Sequence, residues 1–184
     1  MSARERLLSL LRAHSFARRR VVLASGRESD FFIDCKQTVL LAEGHAHVGA
    51  LMLAEARAFE RAPVAVCGVE LGGCPLASAV ALTSFLAGAP LDAIYVRKQA
   101  KDHGSQRLTE GDAHLPRGSA VVVLEDVITT GGSTLRAIER LREAELDVVG
   151  VVALVDRLEG GRAAIEAAGL PVRTIFTRSD FIPE

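Results

Sequence analysis

Two adjacent carboxylates, Glu125 and Asp126, begin the densest group of polar side chains in this sequence. Small hydroxyl and glycine residues follow them, in the order Thr129, Thr130, Gly131, Gly132, Ser133 and Thr134. Glycines let a backbone approach a phosphate, and hydroxyls and helix-start N–H groups can donate hydrogen bonds to it. Acids beside a phosphate would repel it unless they face a sugar diol or a Mg²⁺ ion. The pattern therefore favours a phosphoribosyl group as ligand.

Two common phosphate-binding motifs are absent from this stretch. It contains no Gly-Lys-Ser/Thr, which a Walker A loop needs, and no G-x-G-x-x-G, which a dinucleotide fingerprint needs. An ordinary turn between a strand and a helix, with two solvated acids, is the simpler alternative.

The polar group lies between a predicted strand and a predicted helix. Val121–Leu124 is apolar and mostly β-branched, which is typical of a strand buried on both faces. After the glycines, Leu135, Ile138 and Leu141 recur at helical spacing. The dipole of a helix that starts here would favour an anion at the turn.

Cations are concentrated in the segment that follows a second predicted strand, Asp92–Val96. Arg97, Lys98, Lys101 and His103 lie within it, with no apolar periodicity. This indicates an exposed loop. A solvated charged loop without function is the alternative.

A third turn follows the predicted strand Val64–Cys67. Gly68, Gly72 and Gly73 precede Pro75, which suits the first turn of a helix. Such a turn can accommodate an anion, although a simple helix cap explains it equally well.

Other residues could contact a planar ring or a carboxylate. Phe31 and Phe32 follow a polar turn and could form core or a stacking surface. Arg157 follows the predicted strand Val148–Val155, and a guanidinium can bind a carboxylate with two parallel hydrogen bonds. A surface pair with Asp156 is the alternative.

The 184 residues suffice for a single domain, residues 1–184, with a full core. A net charge of −1 argues against a nucleic-acid partner. The three cysteines form no C-x-x-C pair, and the N-terminus lacks an apolar signal segment. The apolar runs are too short to span a bilayer. We therefore expect a cytoplasmic protein with no membrane partner.

Strands alternate with helices along the whole chain. This predicts an α/β fold with a mainly parallel twisted sheet flanked by helices. Ligands of such sheets bind beyond the carboxyl ends of strands, where all the turns described above lie.

Three segments resemble a known family. Glu125–Ser133 resembles the phosphoribosyl-pyrophosphate motif of the type I phosphoribosyltransferases. Leu23–Asp34 resembles the base-covering segment of the orotate phosphoribosyltransferases, and Arg97–Gly104 resembles their catalytic loop. The resemblance implies the type I fold, with a small hood formed by about residues 1–40. It also implies the synthesis of orotidine 5′-phosphate and pyrophosphate from orotate and phosphoribosyl pyrophosphate, a step towards UMP.

The resemblance assigns roles to residues. The catalytic residues would be Lys98, Lys101, His103 and Asp126. Phosphoribosyl pyrophosphate would contact Arg97, Lys98, Lys101, His103, Glu125, Asp126, Val127, Ile128, Thr129, Thr130, Gly131, Gly132, Ser133, Gly72 and Gly73. Orotate would contact Phe32, Ile33, Thr129 and Arg157. No side chain would bind metal directly, because Mg²⁺ would arrive with the substrate and meet Asp126 through water. A homodimer with shared active sites is implied.

Two positions depart from the family pattern. Some members carry lysine where this chain has Ala24 and Gly72. This leaves room for two alternatives: a transferase acting on another base, and a non-catalytic sensor of phosphoribosyl pyrophosphate. A fused decarboxylase is not expected.

Overall fold

The computed structural model of this protein describes residues 1–22, 28–99 and 108–182. The helices are α1 (Ala3–His14), α2 (Lys36–Val39), α3 (Ala42–Arg57), α4 (Gly73–Leu86), α5 (Gly132–Glu143) and α6 (Gly161–Ala167). The strands are β1 (Phe16–Val22), β2 (Glu28–Ile33), β3 (Ala65–Val69), β4 (Asp92–Val96), β5 (Thr109–Glu110), β6 (Ala120–Ile128), β7 (Asp147–Asp156) and β8 (Val172–Thr177).

Within the described residues, the main sheet has six strands in the order β5-β4-β3-β6-β7-β8. All neighbours are parallel except β4 and β5, which pair antiparallel. The predicted α/β fold with a mainly parallel sheet is therefore confirmed. The sequence did not predict β5, because a strand of two residues is too short to show an alternating pattern.

Strand β6 runs four residues beyond its predicted end at Leu124. It continues through both acids because it pairs with β7 as far as Ile128, opposite Asp156. Glu125 and Asp126 therefore belong to the last part of a strand, and the turn begins only at Thr129. Their side chains must point to opposite faces of the sheet.

The two faces pack against different helices. Val121 and Val123 of β6 belong to the cluster that includes α5 and α6. Val122 and Leu124 belong to the cluster that includes α1, α3 and α4. By the same alternation, Glu125 should face α5 and Asp126 the opposite side.

The N-terminal part of the chain forms a separate two-stranded hairpin, in which β1 and β2 pair antiparallel. Aromatic rings fasten this hairpin to the body. The Phe31 ring centroid lies 5.3 Å from that of Phe16 and 5.7 Å from that of Phe181, near the C-terminus. Of the two predicted roles for Phe31, core is therefore correct, since its side chain is fully buried. The boundaries proposed for the domain and the hood remain predictions.

Candidate active site

Four predicted turns meet at one edge of the sheet. They follow β3, β4, β6 and β7, which are neighbours and parallel, so their carboxyl ends point the same way. The glycine turn, the start of the cationic loop, the hydroxyl-rich turn and Arg157 thus lie along a common edge. This is where open α/β sheets bind their ligands.

Glu125 faces α5, as the alternation along β6 requires. Its carboxylate accepts a hydrogen bond of 2.8 Å from the Thr134 hydroxyl and a longer one of 3.4 Å from Ser133. Burial, together with the negative charge of Asp126, raises the pKa of Glu125 to about 8. Thr134 is fully buried, so its hydroxyl serves Glu125 and does not face an incoming phosphate.

Asp126 faces the other side of the sheet and is less buried than Glu125. Its carboxylate accepts a 2.9 Å hydrogen bond from the N–H of Val127. Burial raises the pKa of Asp126, and the positive charge of Lys36 partly opposes this effect. Two neighbouring carboxylates with raised pKa values would both be stabilised by an approaching cation or hydroxyl donor.

Gly72 lies directly against Asp126. A Cβ at position 72 would overlap the carboxylate of Asp126, so glycine lets the two segments approach each other. Gly73 is similarly close to β6, since a Cβ there would lie 2.7 Å from the carbonyl oxygen of Leu124. A lysine at position 72 would require Asp126 to move.

The hydroxyl-rich turn ends in a left-handed residue, Gly131, whose φ of 80° favours glycine. Helix α5 begins at the next residue. A Cβ on Gly131 would also lie 2.9 Å from the carbonyl oxygen of Gly161 in α6. Thr130 is exposed, and Thr129, Gly132 and Ser133 are half-buried. The predicted phosphate cradle is therefore open to a ligand.

The start of the cationic loop is held by contacts that the sequence did not predict. The Lys98 backbone N–H donates a 2.7 Å hydrogen bond to Glu70, in the turn after β3. The guanidinium of Arg140 in α5 donates to the carbonyl oxygens of Arg97 and Lys98. Glu70 and Arg140 could not be found from sequence, because each lies more than 25 positions from its partner. Lys101 and His103 lie outside the described residues, as does Ala24.

Arg157 connects the body to the hairpin of β1 and β2. Its guanidinium donates to the carbonyl oxygen of Phe31 at 3.0 Å and forms a 3.0 Å ion pair with Glu159. Phe32 and Ile33 are half-buried at the neighbouring end of β2, and the Arg19 guanidinium lies 3.8 Å from the Phe32 ring centroid. The structure thus brings Arg157 close to the strand that carries the other predicted base contacts.

Carboxylate oxygens suit a hard cation such as Mg²⁺. Within residues 1–22, 28–99 and 108–182, however, no three His, Cys, Asp or Glu side chains are grouped as a metal site. None of the helices in this part of the chain combines the length and apolar character that crossing a bilayer requires.

Comparison with known proteins agrees with this geometry. The family profile of the phosphoribosyl transferase domain matches residues 38–167. The orotate phosphoribosyltransferase of Sorangium cellulosum is 69% identical over 183 residues, covering 100% of this chain and 95% of that protein. The chain belongs to the orotate phosphoribosyltransferase family. It is thereby a pentosyltransferase, as the sequence predicted.

Solved structures place the fold in the same family. An orotate phosphoribosyltransferase of Mycobacterium tuberculosis in complex with Fe(III) dicitrate has a TM-score of 0.81 at 38% identity, covering 98% of this chain and 99% of that one. The same enzyme in complex with phosphoribosyl pyrophosphate has a TM-score of 0.79 at 34% identity, with 98% and 99% coverage. An adenine phosphoribosyltransferase of Leishmania donovani, at 17% identity and a TM-score of 0.68, shares the fold alone.

Proposed function

We propose that this chain transfers the phosphoribosyl group of phosphoribosyl pyrophosphate to orotate, forming orotidine 5′-phosphate and pyrophosphate on the route to UMP. The observation that carries the proposal is the acid pair at the end of β6, followed directly by an open glycine turn at the start of α5. That arrangement suits a ligand that presents both hydroxyls and a phosphate. We expect the reaction to take place in the cytoplasm.

The 5′-phosphate binds at the turn between β6 and α5. Backbone N–H groups from Thr129 to Ser133 and the hydroxyls of Thr129, Thr130 and Ser133 are its proposed donors. Support comes from the left-handed Gly131, which shapes the turn, and from the exposure of Thr130. The N-terminus of a twelve-residue helix adds a favourable dipole.

The ribose hydroxyls donate hydrogen bonds to Asp126, and Glu125 is the preceding residue on the other face of β6. Asp126 is the more accessible of the two and borders Gly72, which with Gly73 is a proposed contact of the diphosphate. As the bond to pyrophosphate breaks, positive charge develops on the ribosyl ring. A carboxylate held beside the ring stabilises that charge, because the surrounding protein excludes water.

Negative charge grows on the departing pyrophosphate. Arg97 and Lys98 lie at the start of the loop that we expect to cover it, together with Lys101 and His103. Each preorganised donor could lower the barrier by ~2–4 kcal/mol. Support comes from the hydrogen bonds that fix the loop's starting point to α5.

Mg²⁺ would be carried mainly by the substrate, and Asp126 is the residue that would hold it through a bridging water. When bound, the ion would neutralise charge on the diphosphate oxygens. Burial raises the pKa of both carboxyl groups, and a cation bound nearby would favour their ionised forms.

Orotate binds between the hood and the body, with Phe32, Ile33 and Thr129 as contacts and Arg157 binding its carboxylate. The support is the position of Arg157 against β2, although its guanidinium also pairs with Glu159. Arg157→Lys keeps the charge but loses the planar fork, so we expect the KM for orotate to rise more than the KM for the donor. Equal KM changes would contradict this role.

We also propose a homodimer in which the two copies share active sites. Helix α4 is apolar on nearly all sides, yet Leu82, Phe85 and Leu86 are 58%, 69% and 76% exposed. An apolar helix is normally covered, so a second copy is a suitable partner for this face. Sedimentation of the protein and of Phe85→Glu would test the interface, since a dimer held elsewhere would survive the substitution.

The decisive experiment incubates the purified protein with orotate, phosphoribosyl pyrophosphate and Mg²⁺ and follows the loss of orotate absorbance. Parallel reactions with adenine and uracil test the other acceptors. Asp126→Asn should lower kcat by roughly 100-fold or more, because it removes the charge opposite the developing cation. Inactivity of the wild type with orotate would refute the proposal, and full turnover by Asp126→Asn would refute the role of that residue.

A further inference from the structure

Helix α2 brings a lysine to the acid pair from a part of the chain that the sequence motifs do not include. The Cys35 thiol, at the start of this helix, lies 3.8 Å from the carbonyl oxygen of Asp126. The next residue is Lys36, whose ammonium lies 2.6 Å from a carboxylate oxygen of Asp34. Its side chain is 36% exposed, so it remains accessible to a ligand at the edge of the sheet.

Lys36 supplies a positive charge near Asp126 that the turn after β3 cannot supply. Gly72 lies so close to Asp126 that a side chain there would overlap the carboxylate. The turn after β3 therefore cannot present a cation from position 72 while Asp126 keeps its place. Lys36 follows Cys35, whose thiol lies 3.8 Å from the backbone oxygen of Asp126, and the charge of Lys36 lowers the pKa of Asp126 against the effect of burial.

We propose that Lys36 is a donor-binding residue, whose ammonium contacts the diphosphate of phosphoribosyl pyrophosphate beside Asp126. The inference rests on the proposed function. In the donor, the diphosphate is attached next to the hydroxyls that Asp126 would hold, so anionic oxygens would approach a carboxylate. A fixed cation at this point reduces the repulsion between them.

Asp34 keeps the ammonium in place before the substrate arrives. One of its carboxylate oxygens binds Lys36, and the other accepts a 3.1 Å hydrogen bond from the amide of Gln37. Holding a long side chain near its bound position reduces the entropy that binding would otherwise cost. The flexible stem of lysine still allows the ammonium to turn towards a phosphate oxygen.

The test compares four variants with the wild type. Lys36→Met removes the charge, Lys36→Arg keeps it, and Asp34→Asn removes the partner but leaves the lysine charged. Gln37→Ala is the matched control, since Gln37 binds the same carboxylate without carrying charge. Steady-state kinetics give kcat and both KM values, and calorimetry with Mg²⁺ and the donor, or with inorganic pyrophosphate, measures binding directly.

We expect Lys36→Met to raise the KM and Kd for the donor by about 10- to 100-fold, the range of a lost charged hydrogen bond. The KM for orotate should change far less, Lys36→Arg should recover most of the affinity, and Gln37→Ala should resemble the wild type. Asp34→Asn should weaken donor binding less than Lys36→Met does.

Several results would overturn the assignment. One is an unchanged donor Kd in Lys36→Met. Another is an equal rise in both KM values that Asp34→Asn reproduces, which would make the lysine only a structural partner of Asp34. Lys36→Met could lower the melting temperature enough to explain its weaker donor binding. If Lys36→Arg then failed to recover donor affinity, the lysine would again be only a structural partner of Asp34. A wild type inactive towards orotate would instead refute the proposed function.

Discussion

Replacing Glu125 by glutamine removes a buried carboxyl group while preserving its shape. The Thr134 hydroxyl donates to one carboxylate oxygen at 2.8 Å, and the amide oxygen of glutamine can accept the same bond. The change therefore alters ionisation more than packing. It tests whether burial suppresses the charge of this carboxyl group in the ligand-free protein.

The expected effect follows from the pKa difference between the two states. Burial raises the pKa of Glu125 from 4.5 to about 8 in the folded protein. Between these values the folded state binds more protons than the unfolded state, so the free energy of unfolding falls as pH rises. From pH 5 to pH 8 the wild type should lose about 3 kcal/mol relative to Glu125→Gln. Because Asp126 is adjacent, the difference belongs to the pair of carboxyl groups.

Urea unfolding at pH 5, 6, 7 and 8, without substrate or Mg²⁺, measures this difference. Titratable groups that both proteins share contribute equally to the two free energies of unfolding, so their contributions cancel in the difference. Glu139→Gln is the matched control for the loss of one carboxylate, since Glu139 is exposed on α5, the helix that Glu125 faces. If the free energy of unfolding changed with pH equally in the wild type and in Glu125→Gln, the carboxyl group of Glu125 would already be ionised in the folded protein.

Two glycine substitutions separate catalysis from stability. Gly72→Ala should displace the carboxylate of Asp126, which its Cβ would overlap, and lower kcat/KM by roughly 100-fold with little change in melting temperature. Unchanged kinetics would show that Asp126 can move without cost. Gly150→Ala should instead push its Cβ into the ring of Phe59 in the core and lower the free energy of unfolding by about 1–3 kcal/mol, measured by urea unfolding. An active protein of wild-type stability would show that this ring adapts.

The local motifs could be predicted from sequence because each occupies a short, continuous segment. Glycines, hydroxyls and acids in one run determine a turn that can hold a phosphate, wherever that turn is placed. The parallel sheet was also predictable, since apolar β-branched segments alternate with helical ones. Together these patterns identified the edge of the sheet that carries the site.

Contacts between distant segments could not be predicted in this way. Arg140 donates hydrogen bonds to the carbonyl oxygens of Arg97 and Lys98, and the Cys35 thiol, next to Lys36, lies 3.8 Å from the backbone oxygen of Asp126. Such pairs depend on which helices cover which face of the sheet, and no local pattern encodes that arrangement.

The sequence by itself determined the chemistry that is available: two acids, a phosphate-binding turn, a cationic loop and an arginine. Only the tertiary structure decided on which face of the sheet each of the two acids lies. Because β6 continues through both of them, strand alternation directs Glu125 towards α5, where hydroxyls bind it, and Asp126 towards Gly72 and α2. Where the strand ends depends on its pairing with β7, and that pairing is a property of the assembled sheet.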